Sequence, residues 1–385
     1  MMNIYSLSSL LGKLLNIAEE CYKSDYGKKF FSDNLSAHQL EHITTIVNNA
    51  ETQKSVLAVL ITCLLKKIES PSQDVRLHRE EFKDGYSGRG LDTNVVTPWL
   101  KEHFPKFAPK ESGWLTRSIE QPHPFTKNFP GKIRNVNVKN AFLSILEDVE
   151  EKKSVAEKYL ISMLILLLDK TEKELGIMEM ITNVKSTGSI TINLILEMLK
   201  EHFSMARSSR LPVIAIYSIY QILVKSVEIY KGKKLQPLKS HTTSDRYMGY
   251  GDIEVYYNDG TPFEIVEIKH KIPIDLITIK DVFKKVQTTS IKRYFILTTA
   301  DPNFVGDEKE IFDILNGIKQ KYNIDIIPNG IIASLKYYLR FLIDLNEFLN
   351  VYTENIKKEF SQTTDVKELH IKKWEELIKR YGVDK

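Results

Sequence analysis

Asp252 and the run Glu267-Ile268-Lys269 are the residues whose types and spacing can do chemistry. Asp252 opens an alternating stretch, GDIEVYY (251–257), and the run Glu267-Ile268-Lys269 lies in FEIVEIKHK (263–271), with the turn signal NDGT (258–261) between them. Side chains alternate faces along a strand, so Glu267 and Lys269 share a face and Ile268 points the other way. Strands joined by a tight hairpin lie ~4.8 Å apart, which allows Asp252 to sit beside Glu267. Two carboxylates and an ammonium are then gathered on a sheet that is otherwise apolar. Phosphodiester hydrolysis uses this combination. Mg²⁺ takes hard oxygen ligands, one or two carboxylates completed by water and phosphate oxygens. It stabilises charge on the phosphate and lowers the pKa of an attacking water, which a lysine can orient. The backbone carbonyl of Ile268 is a further oxygen ligand on the same strand. The competing reading is a solvated charge ladder on an edge hairpin, with Asp252 as a turn residue.

The elements around this hairpin favour a site. Pro212 stands at the start of an apolar helix, PVIAIYSIYQILVKSVEIY, where proline is tolerated. After the hairpin come a helix (276–289), a strand RYFILTTA (293–300), a helix (307–322), a strand NIDIIP (323–328) and a closing helix, IIASLKYYLRFLIDLNEFL. The order α-β-β-α-β-α-β-α predicts an α+β, mixed α/β fold with a sheet flanked by helices.

The stretch GDIEVYYNDGTPFEIVEIKHK (251–271) resembles the active-site hairpin of the PD-(D/E)xK nuclease superfamily, with Gly251 where the family carries proline. The helix–hairpin–helix–strand order over 212–300 is similar to that superfamily's core. Two further stretches, 210–255 and YSGRGLDTNVVTPWLKEHFPKFAPKESGWLTRSIEQPHPF (86–125), resemble type II restriction endonucleases, most closely the SacI group. The resemblance implies that Asp252, Glu267 and Lys269 are the metal-binding and catalytic residues. It implies Mg²⁺ as cofactor and double-stranded DNA as substrate, cut at a six-base palindrome such as GAGCTC. A palindromic site implies a two-fold homodimer, and a restriction system implies a cognate DNA methyltransferase as functional partner. The rivals are a repair, junction-resolving or modification-dependent nuclease of the same fold, and a DNA-binding protein without catalysis.

The chain has 385 residues and a net charge of +4, with 42% hydrophobic and 27% charged residues. That composition excludes global disorder, and at roughly 100–200 residues per domain it predicts two or three folding units. The expected division is a largely helical region (1–206), a nuclease core (207–350) and a helical extension (351–385). Within the first, residues 76–139 carry 12 Lys/Arg against 7 Asp/Glu, and seven of the thirteen prolines lie between Pro71 and Pro130. This basic, irregular segment is the candidate for DNA recognition. Arg76, Arg79, Arg89 and Arg117 suit guanine edges, and Asn94 or Gln121 suit adenine. Lys106, Lys110, Lys127 and Lys132 suit phosphates. Gly88 and Gly90 would admit a close backbone approach to DNA, whereas Trp114 reads as core.

Nearer the hairpin, His241, Thr242, Thr243 and Arg246 are candidates for DNA contact, with a self-capped loop as the alternative. His270 faces away from Lys269 and reads as a packed or solvated histidine. Lys285 and Gln287 read as a solvated helix face, with an accessory role at the site as the alternative. His38 and His42, spaced i, i+4, lack a third ligand and read as helix surface. His78, His103 and His123 show no zinc spacing.

Cys21 and Cys63 form no CxxC motif, which excludes a cysteine-based zinc module and a disulfide scaffold. The N-terminal stretch reads as an amphipathic helix, not a signal peptide, and the longest apolar run is far short of the ~20 residues of a membrane span. A cytoplasmic location and no membrane partner are expected.

Overall fold

The computed structural model describes residues 4–24, 26–151, 155–179, 190–238 and 249–381. The chain forms two units, Met1–Gly176 and Ile177–Lys385. Among the described residues, no helix is long and apolar enough to cross a membrane.

The first unit is helical. It holds α1 (Ile4–Lys23), α2 (Tyr26–Asn34), α3 (Ala37–Asn48) and α4 (Lys54–Glu69). A capping box between Ser36 and Gln39 starts α3. All ten residues from Val56 to Leu65 on α4 are buried, so this helix lies at the centre of the unit rather than on its surface. The proline-rich segment contains α5 (Gly88–Leu91), a π-helical stretch (Asp92–Val96) and α6 (Thr97–His103), and is otherwise mostly irregular. It is nonetheless well packed. The buried Asp92 accepts hydrogen bonds from Thr97 Oγ1 (2.9 Å), Ser112 Oγ (2.5 Å) and the Gly113 amide (2.6 Å). These bonds tie the π-helical stretch to the loop that follows. Then come α7 (Val136–Glu150) and α8 (Ala156–Glu179), and the division between the units falls within α8.

The second unit adds α9 (Ile192–Ser204), α10 (Arg210–Ser226), β1 (Lys233–Leu235), β2 (Ile253–Tyr257), β3 (Pro262–Lys269), α11 (Leu276–Val286), β4 (Arg293–Thr298), α12 (Glu308–Tyr322), β5 (Asp325–Gly330), α13 (Ile331–Leu339), α14 (Leu345–Gln362) and α15 (Glu368–Arg380). The five strands form one mixed sheet in the order β1-β2-β3-β4-β5. The β1–β2 and β2–β3 pairs are antiparallel, and β3–β4 and β4–β5 are parallel. The β2–β3 turn closes where NDGT predicts. Asp259 accepts from the Thr261 amide and hydroxyl, and Gly260 takes a positive φ of 84°. Val266 and Ile268 of β3 pack with α9, α10, α13, α14 and α15 on one face of the sheet. Ile265 packs with α11 and α12 on the other. The architecture is thus α+β, three layers around a mixed sheet.

Several boundaries differ from those expected. The unit division lies at residue 176 rather than 206, because α9 packs with α10, α13 and α15. The described part of the expected helical extension, 351–381, packs into the second unit. Tyr352, Ile356, Phe360 and Trp374 share one core with α10, and the buried Arg210 on α10 pairs with Glu359 on α14 at 2.8 Å. The closing helix is two helices, interrupted at residues 340–344, with Asp344 capping the second through the Asn346 amide. The three-residue β1 escaped the sequence reading.

Candidate active site

The hairpin brings Asp252 and Glu267 together. Ile253 and Val266 form the last pair of the β2–β3 ladder, which leaves Asp252 and Glu267 as the next residue of each strand beyond it. The Asp252 amide donates to the Val266 carbonyl (2.9 Å), and Asp252 Oδ2 accepts from the Ile268 amide (2.8 Å). Gly251 has a steric reason to be glycine. A Cβ there would lie 2.6 Å from Ile265 Cγ2 and 2.8 Å from the Val266 carbonyl oxygen. Neither proline nor any other residue fits while the chain runs this close to β3.

Glu267 is the centre of the charge cluster. Lys269 Nζ lies 2.7 Å from its Oε1, which matches the shared face that alternation predicts. Lys285 Nζ on α11 lies 3.9 Å from Oε2. The Lys285 side chain is on the exposed helix face, as expected, yet its ammonium reaches the site. Tyr294 Oη on β4 lies 3.4 Å from Oε2. Gln287 is exposed at the end of α11.

The sequence reading missed Glu254, Tyr250 and Tyr294. Glu254 is 3% exposed, and its carboxylate accepts from the Tyr250 amide (2.6 Å), the Gly251 amide (3.3 Å) and Tyr256 Oη (3.1 Å). It cradles the two residues just before Asp252. Glu264, 2% exposed on the opposite face of β3, accepts from Tyr220 (2.7 Å) and Tyr230 (2.9 Å). Burial pushes its carboxyl up, against the lowering effect of those two phenols. His270 is packed as expected, between Ser208 Oγ (3.0 Å) and Thr299 Oγ1 (2.9 Å), and burial pushes it down to about 4.

The recognition candidates fare unevenly. His241, Thr242, Thr243 and Arg246 lie outside the described residues. Arg76 is engaged within the first unit, by Asp74 at 2.9 Å and Glu151 at 2.7 Å. Arg79 pairs with Glu81 (3.1 Å). Arg89 lies 3.8 Å from Glu120, and its side chain remains 58% exposed. Arg79, Arg89, Glu81, Glu120, His78 and Trp114 are among the residues lining a depression of about 250 Å³. Arg117 is exposed. Asn94 Nδ2 donates to the Gly90 carbonyl (2.8 Å), and Gln121 Nε2 donates to the Arg117 carbonyl (2.7 Å).

Two expectations in this segment are corrected. Lys106 is not a phosphate contact. It is 4% exposed and pairs with Glu174 at 2.7 Å. Gly88 does not make room for DNA, since a Cβ there would meet Trp114 at 2.7 Å. Trp114 is core, as expected, and donates to His78 Nδ1 (2.9 Å). Lys127 pairs with Glu147 (2.6 Å), while Lys110 and Lys132 are exposed. His38 is exposed and its ring lies against that of His42, with centroids 4.1 Å apart and the planes tilted by 60°.

Among the described residues, no group of three or more His, Cys, Asp and Glu side chains is placed to hold a metal ion. The fit to a hard divalent cation therefore rests on Asp252, Glu267 and a carbonyl. A strand residue's N–H and C=O point to the same side. The Ile268 amide points to Asp252, past the first ladder pair of β2, so its carbonyl faces the same opening. Two adjacent carboxylates and this carbonyl make the partial oxygen set that Mg²⁺ completes with water and substrate. No protein-family model matches the chain, and no curated protein matches it.

Proposed function

We propose that this chain is a Mg²⁺-dependent endonuclease of type II restriction character, acting on double-stranded DNA through a PD-(D/E)xK-like core. One observation carries the reading. Asp252 and Glu267 lie just beyond the last pair of the β2–β3 ladder, with Lys269 on Glu267, the Ile268 amide on Asp252 and the Ile268 carbonyl facing the same opening. Asp252, Glu267 and Ile268 O would hold Mg²⁺, which when bound stabilises charge on the phosphate and eases deprotonation of the attacking water. Lys269 offers N–H donors that orient the water and offset the charge developing on the phosphate. Lys285 adds a second ammonium beside the same carboxylate. Reading of a palindromic site by residues 76–139, with the exposed Arg89 and Arg117 foremost, and a homodimer that cuts both strands complete the proposal, alongside a cognate methyltransferase.

The test is cleavage of unmethylated plasmid or phage DNA with Mg²⁺ or with EDTA, beside Lys269→Ala. Discrete bands that need Mg²⁺ and vanish in the variant are expected. A smear or simple nicking would move the reading to a repair or junction nuclease. DNA binding without cleavage under any divalent cation would refute the catalytic role.

A further inference from the structure

We propose that Tyr294 is a positioning residue whose hydroxyl locks the two carboxylates of the site into one register. The proposal rests on the nuclease reading above. Tyr294 lies on β4 opposite Ile265 of β3 and is fully buried in the core under α11 and α12. Its hydroxyl reaches across β3, donates to the Tyr250 carbonyl at 2.7 Å and stands 3.4 Å from Glu267 Oε2. One phenol thus touches the segment that carries Asp252 and the carboxylate of Glu267.

Main-chain bonds hold the segment that leads into Asp252. The amides of Tyr250 and Gly251 go to Glu254, and the amide of Asp252 goes to Val266. The Tyr250 carbonyl, one residue before Gly251, is bonded by Tyr294. A core role alone would need the ring and not the hydroxyl, since phenylalanine fills nearly the same volume. A buried hydroxyl is costly unless it is bonded, and this one is bonded where the two halves of the ligand set meet. Partners just outside a ligand set typically change metal affinity or activity by roughly ten- to hundredfold when removed.

The experiment compares the full-length wild type with Tyr294→Phe and with Tyr352→Phe. The second variant removes a buried phenol bonded to His202 Nδ1 (3.0 Å), on the other face of the sheet. Mn²⁺ binding is measured by calorimetry without DNA, Mg²⁺-dependent plasmid cleavage by titration, and folding by urea unfolding. Tyr294→Phe is expected to weaken Mn²⁺ binding about tenfold or more and to raise the Mg²⁺ needed for half-maximal cleavage by a similar factor. Its KM for DNA stays within about twofold, and Tyr352→Phe leaves Mn²⁺ affinity unchanged. If the wild type binds and cleaves while Tyr294→Phe matches it, the positioning role is overturned and the nuclease reading stands. The positioning role is likewise overturned if Tyr294→Phe alone loses cooperative unfolding, because a core role then accounts for the residue. A wild type that neither binds Mn²⁺ nor cleaves overturns both.

Discussion

Glu254 offers the sharpest test of how the site is held. Its carboxylate is buried and accepts from two main-chain amides and the Tyr256 hydroxyl. Burial and the adjoining Glu254 push the Tyr256 phenol up, so that it too is a firm donor. Glu254→Ala removes all three acceptances. Each donor left inside costs about 1–3 kcal/mol. Tyr250, Gly251 and Tyr256 are half-buried, so water relieves part of this and the low end applies. The sum is about 3 kcal/mol, or a Tm roughly 6–12 °C lower for a unit of this size. Glu254→Gln keeps an oxygen on the two amides and turns its NH2 toward Tyr256 Oη, which can accept. Its cost is about 1 kcal/mol, from weakening charge-assisted bonds. Urea unfolding of both variants beside the wild type provides the comparison. Equal losses for Ala and Gln, or a loss under about 0.5 kcal/mol for Ala, would refute the claim that this carboxylate cradles the segment before Asp252.

Two further outcomes are expected. Lys106→Ala strands Glu174 in the first unit, where Lys106 now lies 2.7 Å from it, while Glu51 keeps Lys170 at 3.4 Å; it should cost about 3–5 kcal/mol, and replacing Glu174 by Leu in the same protein should restore part of that in chemical denaturation. His202 is buried, with Nε2 donating to the His370 carbonyl (3.0 Å) and Nδ1 accepting from Tyr352 (3.0 Å), and burial holds it down to about 3, helped by the nearby His370 and Lys373. Its folded pKa lies below its unfolded value near 6.5, so between those values the unfolded chain binds the proton and stability falls as pH falls. From pH 7 to pH 5 the expected loss is about 2 kcal/mol from this group. His270 and His370, also lowered by burial, act in the same direction. The decline should be correspondingly shallower in His202→Gln, and an identical pH slope in that variant would contradict the assignment.

Much of the hairpin was legible before any fold was known. Period-two alternation placed Glu267 and Lys269 on one face, NDGT placed the turn, and together they set Asp252 beside Glu267. These are local rules acting over a score of residues, and the chain obeys them because the hairpin closes on itself. The long apolar helices were legible for the same reason. β1 was not, because three residues, Lys-Lys-Leu, carry no period and form a strand only against β2.

Burial of polar groups was the larger gap. Glu254 and Glu264 sit on opposite faces of the hairpin, and helices cover both faces of this sheet, so both are inside. Glu264 is made tolerable by Tyr220 and Tyr230, 44 and 34 residues away. Lys106 looked like one more cation in a basic stretch until Glu174 met it from 68 residues on. Tyr294 looked like one more apolar position in a short strand. The sequence alone determined which residues share a face, since that follows from backbone geometry. Only the tertiary structure decided which polar groups are buried and what satisfies them, because a buried charge or hydroxyl depends on partners that distant segments supply.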